Sequence, residues 1–178
     1  EPEVWQVPVA VSSGGNEPTS TVMDGRQASM TVPVAQTATG APWFKINPQQ
    51  TGFFRVNYSA EGWEKLIPAI QSLELSATDR LGIQNDAYAL SRAGLLSISQ
   101  FLSMAYAYTN ENDASVWADL ASNLGDVDVL LFNQPIYGAF QGFAQDLFRP
   151  AANRSGWDPR PGEGHMDALL RSTVLSQA

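Results

Sequence analysis

Hydrophobic residues recur with two different periods along this chain. Up to Tyr58 the period is two. Trp5, Val7, Val9 and Val11 alternate with Gln6, Pro8, Ala10 and Ser12, and Met30, Val32 and Val34 repeat the alternation, as strands with one buried face do. Residues 43–46 and the stretch from Gly52 to Tyr58 are further strand candidates, the second preceded by the turn-like Asn47-Pro48-Gln49-Gln50. Pro8 and Pro33 have no N–H to give to a ladder, so those positions predict sheet edges or bulges. Short strands separated by Gly, Ser, Asn and Pro predict a small antiparallel β-sandwich over residues 1–58.

From Ser59 the period becomes that of a helix: Trp63, Leu66, Ile67 and Ile70 fall on one face, with Pro68 predicting a kink or an early end. A second helix is predicted from Asp79 to Ala93, led in by Ser76 or Thr78 and closed by Gly94. Ser97 and Gln100 have capping-box spacing and open a third, burying Ile98, Phe101, Leu102, Ala105 and Tyr106. Asp113 caps a fourth, burying Val116, Trp117, Leu120 and Leu124 and interrupted at Gly125. A fifth follows Asn133 and Pro135, with Ile136, Phe140, Phe143, Ala144 and Leu147 on one face. The prolines and glycines between Arg149 and Gly164 predict a loop anchored by Trp157. A last helix carries Met166, Leu169, Leu170 and Val174. Helices joined by short loops pack as antiparallel neighbours, so residues 59–178 are expected to form an all-α bundle or solenoid of antiparallel pairs.

Composition narrows the function classes. No apolar run approaches the roughly 20 residues a membrane helix needs, so no membrane association is expected. The chain has 178 residues and a net charge of −8, and beyond residue 59 fourteen acids face seven bases. Such a surface repels phosphate, which argues against nucleic acid and favours a basic peptide as partner. Glu1 to Val11 lacks the pattern of a secretory leader and an initiator methionine, so the chain is expected to begin in mid-protein. The lack of cysteine rules out disulfides and says little about compartment; a cytosolic location is the expectation.

Catalytic chemistry has little to work with. His165 is the only histidine and there is no cysteine, so neither a His/Cys zinc site nor a Ser-His-Asp triad is expected. Glu163, His165 and Asp167 lie two residues apart, poor ligand spacing on a helix, and read as acids favoured at a helix N-terminus. Asp79, Arg80, Asp86 and Arg92 share a predicted helix, where Asp79 in the first turn and Arg92 in the last suit the helix dipole. Arg55 and Asn57 read as ties between strands and helices. No catalytic or metal-binding residue is assigned, and no substrate-binding residue can be named.

Four stretches nevertheless have a familiar form: NPQQTGFFRVNYS (Asn47 to Ser59), DRLGIQNDAYALSRAG (Asp79 to Gly94), VWADLASNLG (Val116 to Gly125) and SGWDPRPGEGHMDALLRSTVL (Ser155 to Leu175). Together they resemble the gluzincin family of zinc aminopeptidases, in particular its puromycin-sensitive type. The resemblance implies a protein that removes N-terminal residues from peptides with a zinc ion held elsewhere. This chain would be its β-sandwich domain, residues 1–58, and the first part of its α-helical cap, residues 59–178, which spaces and caps a peptide chamber. The family's Gly-x-Met-Glu-Asn and His-Glu-x-x-His motifs are absent, so no catalytic or zinc residue carries over. The implied partners are the remaining domains and a peptide substrate. If the cap is incomplete, either self-association through Met166, Leu169, Leu170 and Val174 or fraying of the final helix is expected. A stand-alone helical scaffold that binds peptides or proteins is the alternative, and whether the parent is an active enzyme or an inactive paralogue stays open.

Overall fold

A computed structural model describes residues 5–35, 37, 40 and 42–178. They form strands β1 (Val7–Ser12), β2 (Thr19–Met23) and β3 (Lys45–Ile46), then helices α1 (Ala60–Gln71), α2 (Ala77–Arg92), α3 (Ile98–Ala105), α4 (Ala114–Leu131), α5 (Tyr137–Ser155) and α6 (His165–Leu175), with short 3-10 turns at Pro48–Gln50 and Tyr106–Asn110. The chain divides into two compact units, Glu1–Gly82 and Ile83–Ala178, the division falling within α2.

In the first unit the strands make one antiparallel sheet in the order β2-β1-β3, with Val9 opposite Thr21 and Val11 opposite Ile46. This corrects the expected sandwich: among the described residues there is a single three-stranded sheet. The alternation in β1 is real at its far end, where Val11 is buried, but Trp5 is exposed. Met30 to Val34 forms no strand, in keeping with Pro33 and a Val34 that is 65% exposed. Gly52 to Tyr58 is also outside the sheet among the described residues, and side chains take backbone groups of Gly52 and Ile46. Asn47 bonds both the N–H and the C=O of Gly52, at 2.6 and 2.9 Å. The N–H of Ile46 donates to the Tyr58 hydroxyl at 3.0 Å. Tyr58 then meets Trp63 edge-on at 4.9 Å.

Ser59 is the N-cap of α1, its hydroxyl accepting from Gly62 N, so the change of period coincides with a real helix start. Trp63, Leu66, Ala69 and Ile70 are buried, and the helix runs past Pro68 to Gln71. A proline this near the end removes one hydrogen bond while the buried face on both sides of it persists. Ser76 Oγ accepts from Asp79 N at 3.1 Å at the start of α2, and Gly94 takes φ 72° after its end, the left-handed C′ role.

The second unit is wholly helical in its regular structure. Ser97 and Gln100 make the capping box of α3, where Phe101 and Ala105 are buried but Ile98 and Tyr106 are 45% and 46% exposed. Tyr106 lies beyond the last α-turn, in the 3-10 segment, which turns it off the predicted stripe. Asp113 caps α4 through the amides of Ser115 and Val116. The helix is not interrupted at Gly125. That residue is exposed, and the roughly 1 kcal/mol it costs relative to alanine is outweighed by burial of Leu124 and Val127 on either side.

Helix α5 likewise runs through Pro150 to Ser155, where a loop was expected. The carbonyl that Pro150 leaves without a helical donor belongs to Asp146, which is exposed and can be hydrated, while Leu147, Phe148, Ala151 and Ala152 stay buried. Ile136 precedes the helix and is exposed. Helix α6 packs against both α4 and α5. Its stripe is rotated from the prediction: Arg171 and Val174 are buried, whereas Met166 is 51% and Leu169 45% exposed.

Candidate functional site

The densest polar construction in the first unit surrounds the turn between β3 and Gly52. Asn47, Gln49 and Gln50 have φ of 57°, 57° and 55°, a region that costs a non-glycine residue about 1 kcal/mol or more. Three such residues within four positions require strong local bonds. Lys45, fully buried, supplies two: its Nζ donates to the carbonyls of Ile46 at 2.6 Å and Asn47 at 3.1 Å. It also lies 3.8 Å from Asp79 Oδ1. Asp79 accepts from the backbone N–H of Gln49 at 2.7 Å, from Gln49 Nε2 at 3.2 Å and from Ser76 Oγ at 2.9 Å. Removing one partner of a buried ion pair costs about 3 to 5 kcal/mol, so this cradle is a strong determinant of local structure. Phe53, just beyond the turn, is fully exposed.

Asp79 and Arg80 fall in the first unit, Asp86 and Arg92 in the second. Asp79 holds the turn, Arg80 donates to the carbonyl of Leu75, and Arg92 stacks over the ring of Tyr88 at 5.9 Å. Asp86 is buried. Asn57 and Arg55 are exposed and lie on no strand.

Within the second unit, α2 and α4 are joined by a seam of side-chain bonds. Gln84 Nε2 donates to Val116 O at 2.9 Å, Asn85 Nδ2 to Asp119 at 2.8 Å, and the Tyr88 hydroxyl to Asp126 at 2.8 Å. Burial pushes the Tyr88 phenol above its usual pKa, and the Asp126 carboxylate adds to the shift. These bonds fix the register of the two helices.

At the other end of this unit Arg154 donates to the carbonyls of Thr109 at 3.1 Å and Glu111 at 2.9 Å. The loop over residues 156–164 is held by arginines and not by Trp157, which is 79% exposed. Arg160 bonds the carbonyls of Arg154 and Ser155, and Arg171 bonds Gly156 O and the Glu163 carboxylate. A cavity of about 250 Å³ opens beside them, lined in part by Glu111, Arg154, Glu163 and Leu170. Glu163 is held below the usual carboxylate range by a backbone hydrogen bond from Arg160 and by the Arg171 guanidinium. Its neighbours His165 and Asp167 are exposed. Asp167 accepts from Gly164 N at 2.8 Å, closing the first turn of α6. Among the described residues, no group of three or more His, Cys, Asp or Glu is placed to hold a metal ion.

Comparison with known proteins gives this architecture a family. Residues 43–178 match the model of the ERAP1-like C-terminal domain. Aminopeptidase M1-A of Oryza sativa subsp. japonica is 40% identical over 136 residues, covering 75% of this chain and 16% of the rice protein. Aminopeptidase M1 of Arabidopsis thaliana is 37% identical over 136 residues, with the same coverage of 75% and 16%. Glutamyl aminopeptidase of Rattus norvegicus is 28% identical over 178 residues, covering 98% of this chain and 18% of the rat protein. The chain thus spans less than a fifth of the length of these relatives. The agreement is with aminopeptidases at large and is no narrower than that, so it does not single out the puromycin-sensitive type. The chain belongs to the ERAP1-like C-terminal domain family.

Proposed function

We propose that this chain is a non-catalytic part of an aminopeptidase that removes residues from the N-termini of peptides, and that its helices wall the chamber in which the peptide sits. The observation that carries the reading is the 40% identity over 136 residues with a protein named as an aminopeptidase, in a sequence that contains one histidine and no His-Glu-x-x-His motif. The zinc ion of such an enzyme does not fit here, because these residues cannot supply two histidines and a glutamate from one site. It belongs to another part of the parent. The narrower assignment to the puromycin-sensitive type rests on the four quoted stretches alone.

The partners in this reading are the remaining parts of the parent and a peptide. For the isolated chain, Met166 and Leu169 offer an exposed apolar surface to a second copy, whereas the buried Val174 does not. The coding sequence around this segment tests the function. A His-Glu-x-x-His motif upstream of residue 1 is expected; an open reading frame without one would favour a stand-alone scaffold.

A further inference from the structure

A lysine is seldom buried completely, and Lys45 exposes none of its surface. Two carbonyl oxygens, of Ile46 and Asn47, and the Oδ1 of Asp79 converge on its Nζ at 2.6, 3.1 and 3.8 Å. Oxygen atoms gathered so closely repel one another unless a positive charge sits among them. The two carbonyls lead directly into the left-handed residues Asn47, Gln49 and Gln50. Three amides of that segment have acceptors: Gln49 N–H bonds Asp79 Oδ1, Gln50 N–H bonds Asn47 O, and Gly52 N–H bonds Asn47 Oδ1. Helix α2 allows the close approach because Gly82 has no Cβ; the Gln50 side chain occupies the space one would need. Immediately beyond, Phe53 stands fully in solvent.

We propose that Lys45 and Asp79 form an internal latch, in which the lysine ammonium is a built-in cation for an oxygen-lined cradle. This charge, and not packing in general, keeps the Asn47–Gln50 turn left-handed and Phe53 presented to solvent. Lys45 is a positioning residue in this scheme, acting through the backbone it binds. The proposal stands whether or not the chain belongs to a working aminopeptidase.

Amide hydrogen exchange on the whole chain, read residue by residue by NMR, tests it. Lys45→Met keeps the length of the side chain and removes the charge. It is expected to speed exchange at Gln49, Gln50 and Gly52 about tenfold or more, as loss of charge-assisted hydrogen bonds implies, while Val9 in β1 and Ile70 in α1 keep their protection. Asp79→Asn, which retains shape and removes the opposite charge, is expected to give the same local pattern. Lys45→Ala leaves a gap in the cradle, and added ethylammonium, but not the bulkier tetramethylammonium, is expected to restore protection at these amides. Unchanged exchange in both isosteric variants, a uniform rise through β1 and α1, or no response of Lys45→Ala to ethylammonium would each overturn the latch.

Discussion

Replacing Trp117 probes the centre of the second unit. Its side chain is fully buried, its ring lies 4.9 Å from that of Phe148, and its Nε1 donates to Glu111 O at 3.0 Å. Trp117→Ala deletes the whole ring system and leaves a cavity against α5, a change that costs about 3 to 5 kcal/mol. Trp117→Phe keeps an aromatic ring against Phe148 and loses mainly the N–H. The Glu111 carbonyl is not orphaned by that loss, since Arg154 also donates to it at 2.9 Å. The second variant is therefore expected to lose only about 1 to 2 kcal/mol, combining a net hydrogen bond with a small void. Against a typical domain stability of about 5 to 15 kcal/mol, the alanine variant should leave this unit marginal and the phenylalanine variant folded. Urea titration followed by circular dichroism at the helix band separates the two without relying on tryptophan emission. A cost below about 1 kcal/mol for Trp117→Ala, or equal costs for the two variants, would refute the placement of this ring in a packed core.

Ser97→Ala removes the hydroxyl that accepts from Gln100 N in the α3 capping box and leaves the Ser97 N–H to bond Gln100 Oε1; it should lower stability by about 1 kcal/mol, measurable as a shift in the urea midpoint at unchanged slope. The Glu163 carboxyl has a pKa lowered in the folded state from an ordinary 4.5, so its stabilising contribution is present above that value and is lost as pH falls through the lowered one. Protection factors in α6, corrected for the intrinsic exchange rate, should therefore fall as acidification carries the pH through the lowered value, below the ordinary 4.5, and Glu163→Gln should abolish that step. Met166→Glu with Leu169→Glu should weaken self-association about tenfold or more in sedimentation experiments without changing helix content. A wild-type chain that stays monomeric at high concentration would remove the basis for that expectation.

What the sequence discloses about this fold depends on whether a feature is local. The caps at Ser97 and Asp113 and the stop at Gly94 use side chains and φ angles within a few residues, and each has the predicted role; Ser59, legible only as the change of period, is the cap of α1. The places where pattern and structure part are those decided by distant partners. Gly125 and Pro150 look like helix breakers, yet α4 and α5 pass through them because both flanks are buried. The stripe of α6 reads as Met166, Leu169, Leu170 and Val174, but Arg171 is drawn inward by Glu163 and Gly156 O and rotates the buried face. The last strand candidate, Gly52 to Tyr58, has the right residues, but its neighbours satisfy their backbone through Asn47 and Tyr58 side chains. The buried Lys45 is the least legible of all. No periodicity marks a lysine for burial, and only the turn-like Asn47-Pro48 beside it hints that something unusual must hold the backbone. The expectation that this chain carries no catalytic set, in contrast, rests on residue types and motifs and uses nothing of the fold.

The central claim is that this chain is the non-catalytic part of a larger aminopeptidase, and hydrolysis of an aminoacyl reporter by the chain and by the longer protein encoded with it, side by side, tests that most directly. The account predicts no hydrolysis and no stoichiometric zinc for the chain, and chelator-sensitive hydrolysis for the longer protein. Hydrolysis by the purified chain alone, abolished by a chelator and accompanied by equimolar zinc, would contradict it.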